Sequence, residues 1–131
     1  MDEASSAVRV LVADDEDDIR ALVCLAIGKA GGVVTDSLAD GTSALAAARA
    51  ELPDLAVLDV SMPGCTGLAV CEALRADPAT AGIRILLLSA GASASEVARG
   101  LAAGADAYLA KPFSVAGLVH QVRALTRLQP A

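Results

Sequence analysis

The sequence has no tryptophan, one tyrosine and one phenylalanine, so large rings cannot fill its core. The 55% of residues that are hydrophobic are mainly Ala, Val and Leu, and the interior must be built from small aliphatic side chains. Lysine is scarce: Lys29 and Lys111 are the only two among ten cationic residues. The net charge is −6, with no basic run to meet a phosphate backbone, so this domain is not expected to grip nucleic acid. No apolar stretch reaches the roughly 18 residues that cross a bilayer, and no membrane contact is expected. The acidic opening MDEASSA lacks the basic and apolar segments of a secretory signal, which points to a cytoplasmic protein. The three cysteines, Cys24, Cys65 and Cys71, show no CxxC spacing. That odd count argues against a disulfide framework or a zinc site. Cys24 and Cys71 read as small apolar residues on helices, and Cys65 falls in a loop.

What is present is alternation. AVRVLVA (7–13) reads as a strand, followed by Ile19, Leu22, Val23, Ala26 and Ile27 at helical spacing up to Gly31 and Gly32. VVTDS is a second, weaker strand, and DGTSALAAARAEL a helix with Asp40 or Thr42 near its start and Pro53 at its close. DLAVLDV (54–60) is a third strand, and GLAVCEALRAD a helix ending before Pro78. IRILLLSA (83–90) is a fourth strand, and Ser93 or Ser95 can cap a helix running to about Ala103. AYLA (107–110) is a short fifth strand; after Pro112, Val115, Leu118, Val119, Val122 and Leu125 line one helix face. Five β-then-α units imply an α/β fold, a doubly wound parallel sheet covered on both sides with right-handed crossovers. One domain is expected over 8–128, with a flexible N-terminus (1–7) and a C-terminal tail (129–131). The last helix is followed only by the tail of RALTRLQPA, which leaves open a protein that acts alone or a piece of a longer one.

Ligands of such sheets bind beyond the carboxyl ends of the strands. Asp14 and Asp15 follow strand one, Asp59 ends strand three, Ser89 ends strand four, and Lys111-Pro112 follows strand five. Each has an ordinary explanation: Asp14 or Asp15 could cap the first helix, Asp59 could sit in a turn, Ser89 could bond the backbone, and Lys111 could be a solvated charge. Asp17 and Asp18 read as solvated acids favoured by the helix dipole. Their joint placement at four sites on one edge asks for a shared purpose. A lysine where arginine is the default cation adds to it.

The motifs VADDE, LDVSMPGCTG, LLLSA and YLAKPF, in this order and spacing, resemble those of response-regulator receiver domains, the phosphoacceptor modules of two-component signalling. The resemblance covers about Val8 to Leu128. It implies a flavodoxin-like (βα)5 fold with strand order 2-1-3-4-5. By matched position, it implies that Asp59 accepts a phosphoryl group from a sensor histidine kinase or phosphotransfer protein. It implies Mg²⁺, with Mn²⁺ a possible substitute, held by Asp15, Asp59 and the backbone carbonyl of Ser61, with Asp14 acting mostly through ordered water. Lys111 pairs with the phosphoryl oxygens, and Ser89 fills the hydroxyl position that turns toward them. Tyr108 matches the aromatic that swings inward, Met62-Pro63 and Gly67 the loop after the acceptor, and Pro112 a proline preceded by a cis bond. The output partner, unknown, is expected on the face made by the fourth helix, fifth strand and fifth helix. The module is a signalling domain rather than an enzyme proper, though it would catalyse its own phosphotransfer and dephosphorylation.

Phosphoryl transfer is mainly positioning and charge neutralisation, which accounts for clustered carboxylates around a cation and a lysine opposite. A flavodoxin would need a Ser/Thr/Gly-rich loop where DDEDD stands. A haloacid-dehalogenase-type phosphatase would need a second acid where Ser61 stands. A receiver-like binding module that takes no phosphate is the alternative function, although such modules usually lose an acid or the lysine. His120, on the last helix, reads as a surface histidine rather than a phosphodonor.

Overall fold

The structure, a computed structural model, describes residues 7–91 and 93–126. The tail expected over 129–131 lies outside the described residues, as does all of the expected N-terminal segment except Ala7. Strands β1 (Arg9–Ala13), β2 (Val33–Leu38), β3 (Leu55–Asp59), β4 (Arg84–Ser89) and β5 (Ala107–Ala110) alternate with helices α1 (Asp17–Ala30), α2 (Gly41–Glu51), α3 (Gly67–Ala76), α4 (Ala94–Ala102) and α5 (Val115–Thr126). All strand pairs are parallel, and the sheet order is β2-β1-β3-β4-β5. Chain order reverses its sense of growth at β1, so β1 and β3 flank the switch point at which α/β sheets bind ligands.

Residue alternation along the central strands sends side chains to two separate cores. Val10, Val12, Leu55, Val57, Leu86 and Leu88 pack with α1 and α5, through Val23, Ala26, Ile27, Leu118 and Val122. Leu11, Ala13, Ala56, Leu58, Ile85 and Leu87 pack on the other side with Ala44 and Ala48 of α2 and Val70, Cys71 and Leu74 of α3. Every residue of β3 is buried, which explains a strand without polar alternation. β2 is an edge strand, half-buried or exposed throughout, and reads faintly in sequence for that reason. A register shift between Val10 and Leu11 leaves Thr35 without a facing partner on β1; its hydroxyl donates to the Val10 carbonyl at 3.3 Å.

The helix ends are set by local chemistry. Asp40, Thr66 and Ser93 cap α2, α3 and α4 by accepting from backbone N–H groups three residues on. Glu96 completes a capping box with Ser93. Neither Asp14 nor Asp15 caps α1: Glu16 occupies the N-cap position, and its side chain makes no cap bond. Gly31, at φ 96°, ends α1 in the left-handed region. Leu52, at φ 48°, ends α2 just before Pro53. α4 buries only Gly100, so it is held to the sheet by little apolar surface.

Candidate functional site

β1 and β3 lie side by side with Ala13 opposite Leu58, so the residues that follow reach the same edge together. Asp14 is fully buried. Its N–H donates to the Leu38 carbonyl at 3.0 Å, its Oδ1 accepts from the Glu16 N–H at 2.9 Å, and its carbonyl accepts from Arg20 at 2.8 Å. That turn holds the carboxylate still and aims Oδ2 inward. Oδ2 has the Lys111 ammonium 3.1 Å away but no aligned hydrogen-bond donor. Asp59 is 4% exposed, and its Oδ1 receives only a long 3.4 Å bond from the Ser61 N–H. Asp15 is exposed at the rim. Carboxylate oxygens of Asp14, Asp15 and Asp59 lie within 4.8 Å of one another.

The donor set fits a hard divalent cation. Oxygens of an octahedron with bonds of about 2.0–2.1 Å stand roughly 3–4 Å apart, a spacing these three carboxylates reach with small movements. The under-satisfied buried Asp14 oxygen is the kind of group such an ion would complete. Oxygen-only ligands suit Mg²⁺ or Mn²⁺ rather than zinc.

Lys111 stands against the same carboxylates. Its Nζ lies 2.9 Å from Glu16 Oε1, 3.1 Å from Asp14 Oδ2 and 3.3 Å from Asp59 Oδ2. Its backbone N–H donates to the Ser89 carbonyl at 2.7 Å, continuing the β4–β5 ladder to the last possible residue. The Lys111–Pro112 peptide is cis. Burial alone would lower the ammonium's proton affinity, but the bond to Glu16 and the charges of Asp14 and Asp59 outweigh it and hold Lys111 above its ordinary value. Asp59 moves up to about 6, first because burial disfavours its charge and then because Asp14 repels it, with Lys111 pulling the other way.

The loop after β3 is locked by close backbone approaches. A Cβ on Gly67 would run into the Asp59 carbonyl, and one on Gly41 into the Cys65 carbonyl. Met62 is buried, and the Pro63 carbonyl accepts from Gly41 and Cys65 at 3.1 and 3.0 Å. The loop that carries Ser61 is thus stapled to the first turn of α2. Of the cysteines, Cys71 is buried on α3, where desolvation pushes its thiol up to about 11.

Ser89 and Tyr108 do not touch directly among the hydrogen bonds formed. The strand register places Leu87 opposite Tyr108 and Ser89 opposite Ala110, so both side chains stand on one face, one step apart. Gly91 joins them. Its N–H donates to Ser89 Oγ at 3.0 Å, and its carbonyl accepts from the Tyr108 hydroxyl at 2.7 Å. The half-buried ring rests beneath α4, where a Cβ on Gly100 would stand 2.8 Å from Tyr108 Cδ2. Gly91, Gly100 and Glu16 were not singled out from sequence. A glycine gives no signal until its neighbour is known, and Glu16 reads as one more charge in DDEDD. His120 lies exposed on α5. A cleft of about 500 Å³ lies beside Val8, Pro53, Asp54, Ile83, Arg84 and Leu125, at the opposite sheet edge, and none of the site residues lines it.

Comparison with known proteins agrees with this geometry. The family model described as the response regulator receiver domain matches residues 10–123. The transcriptional regulatory protein CseB of Streptomyces coelicolor is 43% identical over 118 residues, which are 90% of this chain and 49% of that protein. The chain therefore spans about half the length of the curated relatives it matches. Among solved structures, the signal receiver domain of NarL from Mycobacterium tuberculosis superposes with a TM-score of 0.86 at 35% identity, covering 92% of this chain and 97% of that one. The chemotaxis response regulator CheY4 of Vibrio cholerae gives 0.85 at 32% identity, covering 92% and 99%. An acidic trio and a lysine on the switch-point edge of a 2-1-3-4-5 sheet, together with these matches, place the chain in the response regulator receiver domain family.

Proposed function

We propose that the domain accepts a phosphoryl group on Asp59 from the phosphohistidine of a sensor histidine kinase or phosphotransfer protein, and that this switches partner binding. The supporting observation is the buried Asp59 carboxylate clustered with those of Asp14 and Asp15 and standing 3.3 Å from the Lys111 ammonium. Asp15, Asp59 and the Ser61 carbonyl would hold Mg²⁺, or Mn²⁺ in its place, with Asp14 acting mostly through water. When bound, the ion offsets the repulsion between carboxylates and incoming phosphoryl oxygens. An Asp59 oxygen bonds to phosphorus as the phosphorus–nitrogen bond breaks, and the imidazole leaves with the electron pair. Lys111 takes one equatorial oxygen. The Ser89 hydroxyl accepts from Gly91 and keeps its own proton to donate to another oxygen, a charge-assisted bond. Its movement would pull on the Gly91 peptide and so loosen the Tyr108 hydroxyl from the Gly91 carbonyl. The ring could then turn inward and alter the α4–β5–α5 face, where the output partner is proposed to dock.

The same residues would catalyse phosphorylation from small donors and hydrolysis of the aspartyl phosphate. Relatives are named as transcriptional regulators, so the proposed output is control of an effector by this domain in the cytoplasm, without DNA contact by the domain itself. Among the described residues, no helix is long and apolar enough to cross a membrane. The test is intact mass after incubation with acetyl phosphate and Mg²⁺. The parent should gain one phosphoryl group and Asp59→Ala none. A parent that gains nothing would favour a phosphorylation-independent binding module.

A further inference from the structure

Lys111 is shared, and its shortest contact is to neither residue of the proposed transfer chemistry. Glu16 Oε1 stands 2.9 Å from Nζ, against 3.1 Å for Asp14 and 3.3 Å for Asp59. The two partners differ in setting. The Lys111 side chain is 12% exposed, whereas that of Glu16 is 60% exposed. Glu16 therefore lies at the solvent mouth, over a cation that faces inward. It holds the N-cap position of α1 but makes no cap bond with its side chain, so nothing in that helix end needs its carboxylate. Its backbone is fixed instead by the bond from its N–H to Asp14. The carboxylate's single strong engagement among the described residues is the ammonium 95 residues away.

We infer that Glu16 is a positioning residue that competes with the incoming phosphoryl group for Lys111 and thereby slows phosphorylation of Asp59. The inference rests on the proposed phosphoacceptor role. The Glu16 carboxylate draws the ammonium toward the mouth and offsets part of its charge, and the anionic donor meets a second anion at the entrance. Both costs are electrostatic and solvent-screened, so the effect is modest and falls with salt. Glu16→Gln keeps the shape and removes the charge. It should raise the rate of Asp59 phosphorylation by roughly twofold to fivefold at low ionic strength. The gain should be larger for acetyl phosphate than for the less charged phosphoramidate, and should shrink toward parity in about 1 M salt, where the screening length is about 3 Å. A merely structural role would move neither the salt dependence nor the contrast between donors.

A second readout does not need phosphorylation. With only two lysines in the chain, the Lys111 ammonium is identifiable by ¹⁵N NMR, and its protons should exchange with water faster in Glu16→Gln. Lys29 should be unchanged. A parent that is phosphorylated while Glu16→Gln shows the parent rate at every salt concentration would overturn the inference and leave the phosphoacceptor role standing. A parent that takes no phosphate would overturn that role. In that event, an unchanged Lys111 ammonium in Glu16→Gln would also show that Glu16 does not hold the lysine.

Discussion

The two edges of the sheet treat charge in opposite ways. At the amino edge, Arg75 of α3 donates to the carbonyls of Gly104, Ala81 and Ile83 and pairs with Asp106 at 2.9 Å. Asp106 in turn accepts from the Ile85 N–H at 2.8 Å, and Asp54 accepts from the Arg9 N–H at 2.8 Å. Gly104, at φ +110°, brings the chain so close to Arg75 that a Cβ there would meet its Cγ. Each of these groups has its partners within the fold. At the carboxyl edge, the carboxylates of Asp14, Glu16 and Asp59 gather around one ammonium, Asp14 Oδ2 lacks an aligned donor, and Asp59 keeps a proton up to about 6. Satisfied polar groups fasten a fold, and under-satisfied ones await something from outside it. The difference separates the edge that maintains the structure from the edge proposed to act.

That contrast can be broken from either side. Arg75→Ala should cost about 3 kcal/mol of stability, because it removes the cation beside Asp106 and the donor to three carbonyls. Phosphorylation of Asp59 below the melting range should be unchanged. Denaturant titration alongside the mass assay checks both, and a loss of phosphorylation in the folded variant would show that the edges are not separable. At the other edge, adding Mg²⁺ at 100 times its Kd should stabilise the native state by about 2.7 kcal/mol. Asp15→Asn should remove most of that rise in Tm, and a Tm insensitive to millimolar Mg²⁺ would remove the cation from the account.

A smaller effect concerns Gly100. Replacing it with Ala places a methyl group against the Tyr108 ring and the Leu87 side chain. The expected cost is about 1–2 kcal/mol, within the range for forcing extra volume into a packed contact, and the Tyr108 ring signals should shift in proton NMR. Unmoved ring signals would mean that α4 yields instead of the ring.

A further effect is pH dependence without divalent ions. The native state holds the Asp59 proton up to about 6, and the unfolded chain loses it near 3.8. Between those values the native state binds more protons, so this group's contribution favours the fold at low pH and is lost as pH rises through about 6. Asp59→Asn should flatten that part of the stability profile and raise stability at pH 7 relative to the parent. A variant profile that falls as steeply as the parent's over that window would assign the slope to other groups.

Much of this architecture could be read before any coordinates. β3 and β4 carry unbroken apolar runs because both of their faces are covered, and such runs identify buried parallel strands. Asp59 and Ser89 terminate those runs, so their shared edge followed from the fold class alone. Strand order did not follow from periodicity; it came with the resemblance, and the observed sheet has that order. Contacts fixed by distant partners were beyond reach. Nothing near Arg75 in sequence announces that its guanidinium will gather carbonyls from Ala81 to Gly104. The Asp106 carboxylate that completes the arrangement lies 31 residues away. Glu16 was hidden for the same reason, and Gly91 because its part is played by backbone atoms that every residue possesses. The ordinary alternative, Asp14 or Asp15 as the cap of α1, does not hold because Glu16 takes the N-cap position, and Asp14 is buried instead.

The scarcity of rings has an optical consequence. Tyr108 is the single tyrosine in a chain without tryptophan, and it sits where β5, the Gly91 carbonyl and the underside of α4 meet. Nearly all emission excited at the tyrosine band therefore originates from one hydroxyl-bonded ring at the seam between the acidic edge and the outer helix. Lifetime and anisotropy measurements on the unlabelled wild-type chain report that seam alone, without attaching a dye or changing a residue.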